Sequence, residues 1–146
     1  MSDNSDMMKL YSSRILALAA DIPRLGRLNA PTGSVTKRSP LCGSQVTVDV
    51  VMQQGKITDF AHDVKACALG QAAAAITAAV VIGQTPDTIK TARDALWAML
   101  CENGPTPAPP FEGLEVLKPA AAFKNRHASI MLSLDATLEA CTTPTP

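Results

Sequence analysis

Apolar residues at Met7, Leu10, Tyr11, Ile15, Leu18 and Ile22 recur at close to helical spacing. They predict a first helix over residues 7–22, with Asp6 as its N-cap and Pro23 as its stop. Residues 23–33 hold two Pro, two Gly and an Asn and read as a loop, so this helix must dock onto the body as a separate element. Three strand-like pieces follow. Residues 34–38 form the shortest. In residues 44–52, Val46, Val48 and Val50 alternate with Gln45, Thr47 and Asp49, giving one apolar face and one polar face. Gln53-Gln54-Gly55 makes a turn and residues 56–65 return, closing a β-hairpin.

Helical signals dominate the rest. Residues 67–82 are Ala-rich with few large polar groups and predict a buried helix ended by Gly83. Thr85-Pro86-Asp87 opens another over residues 86–102, with Ile89, Ala92, Leu96 and Leu100 on one face and Asn103-Gly104 as its stop. Residues 105–110 contain four Pro and read as an extended linker, not a packed element. Residues 111–125 read as irregular around Leu114, Val116 and Leu117, and a last helix is expected over residues 126–141. The order helix, strands, helices predicts a single α+β domain over residues 1–146: a small antiparallel three-stranded sheet with a hairpin, packed against four or more helices. Residues 1–6 and 142–146 are expected to fray.

Composition narrows the function. Hydrophobic residues make up 47 % of the 146, enough for a core, while aromatics are 3 %, so that core must be aliphatic. Lys plus Arg and Asp plus Glu are 13 each, and a chain without basic excess is a poor match to a nucleic-acid backbone. The most apolar run, residues 72–82, is far shorter than the roughly 20 residues of a membrane span. With the acidic, polar start Met-Ser-Asp-Asn-Ser-Asp, a cytoplasmic protein is expected. There is no Ser-His-acid set, phosphate-cradling Gly loop or HExxH, so no enzyme activity is expected.

In a reducing compartment, Cys42, Cys67, Cys101 and Cys141 are either small hydrophobes or sites of metal or redox chemistry. Cys42 lies between Pro40 and Gly43, on a turn at the mouth of the hairpin. Cys67 stands at the end of the return strand and the start of the Ala-rich helix, where free N–H groups favour thiolate over thiol. The hairpin carries both to one end of the sheet. If the last helix starts at that end too, His127 joins them, and two sulfurs with an imidazole suit zinc or iron. Each has a plainer reading: Cys42 as an inert loop thiol, Cys67 as a core residue, His127 as a polar cap. Cys101 is expected to pack, Cys141 to be an exposed thiol without partners, and His62, alternating within a strand, could add a ligand.

The chain resembles the NifU/IscU-type iron–sulfur cluster assembly scaffolds over about residues 10–140. The resemblance is carried by Leu41-Cys42-Gly43 before an alternating strand, Ile57-Thr58-Asp59, and Cys67 leading into a small-residue helix. Gly83-Gln84-Thr85-Pro86-Asp87 and His127-Ala128-Ser129-Ile130 complete it. It implies a non-enzymatic scaffold or carrier holding a transient iron–sulfur cluster, of the 2Fe-2S type, or zinc, through Cys42, Cys67 and His127. A cysteine desulfurase and recipient apoproteins are the implied partners. The chain departs from the family at Ser44, where an Asp is usual, at Ala128, where a third Cys is usual, and at Ala66 in place of Gly. The open fourth position is left to water, an external thiol such as glutathione, or a ligand from a second subunit in an oligomer. Lys65, Lys124 and Arg126 flank the ligands and would supply positive charge to anionic sulfur, while the Ser44 hydroxyl is a poor ligand at neutral pH. The alternatives are a sulfur acceptor for the desulfurase, with Cys42 as the thiol, and a cluster-free interaction protein on the same fold.

Overall fold

Alternation along residues 45–50 sets the sheet. In the computed structural model, which describes residues 11–40 and 43–143, Val46, Val48 and Val50 are fully buried on one face. Strand β1 (Gly33–Arg38) pairs antiparallel with β2 (Gln45–Gln53), and β2 with β3 (Lys56–Lys65), in the order β1-β2-β3. The turn at Gln54 and Gly55, both at positive φ, closes the hairpin, with a register shift between Val51 and Met52. Val48 faces His62, and Val50 faces Phe60, across the ladder. Directly paired residues share a face, so His62 is drawn into the core.

The helices cover that face. Helix α1 (Ser13–Ala20) begins later than the periodicity suggests, because the Ser12 hydroxyl accepts the Ile15 N–H at 3.3 Å and so caps it. The expected cap Asp6, with residues 7–10, lies outside the described residues. Helix α2 (Ala68–Val80) is buried on nearly every side, as its alanines imply. Helix α3 (Pro86–Cys101) opens on a capping box between Thr85 and Thr88, with Pro86 in its first turn. Helix α4 (His127–Thr142) is central, packing against β1, β2, α2 and α3. Arg93 ties α3 to α4 through Asp135 at 2.8 Å, and Lys37 ties β1 to α4 through Glu139 at 2.9 Å.

Several elements depart from the pattern. Residues 112–122 form successive 3-10 turns and not an irregular stretch, burying Leu114, Leu117 and Ala120. Pro119 lacks the N–H an α-helix needs and disfavours helical geometry at Lys118, which limits the segment to the tighter form. The Pro-rich stretch before it is not a free linker, since Pro107 is buried. The outer face of the sheet is not simply polar and solvated. Asp49 is fully buried beneath residues 27–28, bonded by Arg27 Nε at 2.7 Å, the Leu28 N–H at 3.0 Å and Ser34 Oγ at 2.6 Å. The loop before β1 also covers the β3 edge, where Gly26 N–H donates to the His62 carbonyl and His62 N–H to that of Arg24. Among the described residues no helix is long and apolar enough to cross a membrane.

Candidate functional site

The β1–β2 turn closes on itself through two backbone bonds: Ser39 N–H to the Ser44 carbonyl at 2.8 Å, and Gly43 N–H to the Ser39 carbonyl at 3.0 Å. Gly43 sits at φ +72°, a conformation the turn requires and a side chain resists. Cys42 belongs to this turn in sequence but lies outside the described residues. Ladder register puts Gln45 opposite Lys65, so the turn and the exit of β3 share one end of the sheet.

Cys67 follows two residues after β3 and is the N-cap of α2. Its half-buried thiol makes no capping bond and instead meets the Ser129 hydroxyl at 3.5 Å. Ser129 Oγ in turn donates to Ser44 Oγ at 3.0 Å, and both serines are buried. A continuous polar contact therefore runs from the β1–β2 turn through the first turn of α4 to the N-cap of α2. Gly70 makes this approach feasible, since a Cβ there would stand 2.6 Å from Ser129 Oγ. Ser129 was not legible as a contact residue; its only sequence signal is its place two residues after His127.

His127 starts α4, but its ring points elsewhere. Residues two apart on a helix diverge by about 200°, so His127 and Ser129 address opposite sides. His127 is buried, places Nε2 2.9 Å from the Ala120 carbonyl, and turns Nδ1 toward Cys101 Sγ at 3.6 Å. Cys101 is thus no packing residue: it is exposed in the last turn of α3. The apolar face runs through Leu96 and Leu100, whereas Cys101 lies four residues after exposed Trp97 and shares its flank. Trp97, Cys101, Lys124, His127 and Ala128 line an open groove of about 440 Å3.

The remaining sequence candidates fall as follows. Lys65 is exposed and Arg126 half-buried, and neither forms an ion pair among the described residues. Cys141 is not an exposed tail thiol: it is half-buried on α4 against the core, and burial pushes its thiol up to about 11. His62 is fully buried with Nε2 on the Pro23 carbonyl at 2.8 Å, which makes it a core residue. Among the described residues no three His, Cys, Asp or Glu side chains are grouped closely enough to hold a metal ion.

The model of the family described as NifU-like N terminal domain matches residues 10–125. The crystal structure of a nitrogen-fixing NifU-like protein (N-terminal) from Brucella abortus is 44 % identical with a TM-score of 0.92, covering 94 % of this chain and 95 % of that one. A protein from Fervidobacterium islandicum AW-1, described as an iron–sulfur cluster assembly scaffold for the SUF system, superposes with a TM-score of 0.83. It covers 92 % of this chain and 98 % of its own, and at 16 % identity the likeness is one of fold. A comparison with curated protein sequences gives no match.

Proposed function

Because the chain belongs to the NifU-like N-terminal domain family, we propose that it is a non-enzymatic scaffold or carrier in iron–sulfur cluster assembly. The cluster, or the iron or zinc ion preceding it, is cargo held through Cys42, Cys67 and His127. The observation that carries this reading is the contact from Ser44 through Ser129 to Cys67. It supports a shared end of the molecule for the β1–β2 turn, the start of α2 and the start of α4.

The donor chemistry fits the cargo. Cys67 is half-buried at a helix N-terminus, within reach of a soft ion and beside free backbone N–H groups. For His127 to join the two thiols, its imidazole must leave Cys101 and the Ala120 carbonyl and the start of α4 must shift, because its ring lies on the side of α4 away from Ser129. Ser44 and Ser129 contribute hydroxyls that can donate to bound sulfide, and Lys65 and Arg126 contribute positive charge to an anionic cluster. The family resemblance points to a 2Fe-2S cluster, and the thinned ligand set makes it easily given up, its remaining position filled by an outside thiol. A cysteine desulfurase supplies sulfur and apoproteins receive the product.

The test is anaerobic reconstitution with ferrous iron, sulfide and a thiol reductant. Wild type is expected to develop sulfur-to-iron absorption in the visible, and Cys67→Ser to lose most of it. Equal absorption in both proteins would overturn the assignment of Cys67.

A further inference from the structure

We propose that Cys101 and His127 form a second, two-point chelate for a borderline-soft divalent cation, opening into the groove beside Trp97. It goes beyond the carrier reading, sharing His127 with it but needing neither Cys42 nor Cys67.

Three observations meet there. The first is the histidine tautomer: Nε2 lies 2.9 Å from the Ala120 carbonyl, which can only accept, so in the neutral imidazole the proton sits on Nε2 and the lone pair on Nδ1. A backbone carbonyl behind the ring is how proteins orient a metal-binding imidazole. The second is that lone pair's position, 3.6 Å from Cys101 Sγ. Tetrahedral zinc, with bonds of about 2.3 Å to sulfur and about 2.0 Å to nitrogen, separates the two ligands by about 3.5 Å. The ion would replace the thiol proton with little movement of either side chain. The third is access: His127 is 6 % exposed, yet it lines the groove of about 440 Å3 together with exposed Cys101.

A thiol–imidazole hydrogen bond accounts for the contact without metal, and the chelate forms when an ion displaces the thiol proton. Ala128 lines the same groove, so its small side chain leaves room for the ligands that complete the coordination. Lys124 also lines it; its charge opposes a bare cation and favours an anionic completing ligand, such as an outside thiolate. Two protein ligands make a site that exchanges its ion readily.

Cobalt(II) alone, added anaerobically to the reduced full chain, reports on thiolate ligation through its near-ultraviolet charge-transfer absorption. The Cys42→Ser/Cys67→Ser double variant is expected to keep a one-thiolate band that zinc abolishes. Adding Cys101→Ser should remove the band and weaken cobalt binding about tenfold or more. Cys101 is exposed, so that substitution is compatible with folding, which far-ultraviolet circular dichroism verifies. No band in the double variant, or a band that survives Cys101→Ser, would overturn the chelate. Iron–sulfur reconstitution is a separate readout, so failure of the carrier reading leaves this result interpretable.

Discussion

His62 shows how one buried side chain sets a pH response. Burial pushes its imidazole below the usual 6.5, although the Pro23 carbonyl and the charge of Asp63 act the other way. The folded protein therefore binds this proton less readily than the unfolded chain. Its contribution is fully present above about pH 6.5 and is lost as pH falls toward the lowered value. Thermal midpoints measured from about pH 7 to pH 5 should decline, and His62→Gln should flatten that decline. An identical slope in the variant would show that other groups carry it. Asp49 acts lower on the scale. Burial alone would raise its carboxyl, but hydrogen bonds from Arg27, Ser34 and the Leu28 N–H, with the charge of Arg27, hold it below its ordinary 3.8. Neither burial was legible in the sequence. Alternation correctly put Asp49 opposite the valines, but the loop that covers it is 21 residues away along the chain.

At the scale of elements, the patterns that read correctly were those whose cause is local. The valine alternation of β2, the Gln54-Gly55 turn and the Thr85-Pro86 start of α3 each contain their own instructions. The 3-10 turns over residues 112–122 do not, because they depend on Leu114 and Leu117 finding the core. The seam between β1 and α4 is likewise a product of tertiary packing. A Cβ on Gly33 would collide with the carbonyl of Ala140, which as backbone cannot step aside. Gly33→Ala is therefore expected to cost about 1–3 kcal/mol, lowering the thermal midpoint by about 2–4 °C for each kcal/mol. An unchanged midpoint would mean that α4 does not press on β1 as described.

For the molecule as a whole, the sequence carried the family and the order of elements further than it carried the side-chain arrangement. The expectation that the hairpin returns Cys67 to the end occupied by the β1–β2 turn agrees with the Ser44–Ser129–Cys67 contact. What it could not convey is that the start of α4 faces two ways. Ser129 points to Cys67 and His127 to Cys101, a division set by helix geometry and by how α3 and α4 cross. Cys101, read as packing, thereby becomes the thiol beside the histidine. The carrier reading requires that this chain take up a cluster and give it away. It is tested by loading the protein anaerobically with labelled iron and sulfide, removing free iron, and adding an apoferredoxin of the 2Fe-2S type. The label and the visible chromophore are expected to move to the acceptor, with less label carried by Cys67→Ser. A protein that never loads, or one whose cluster stays in place while the acceptor remains empty, would contradict it.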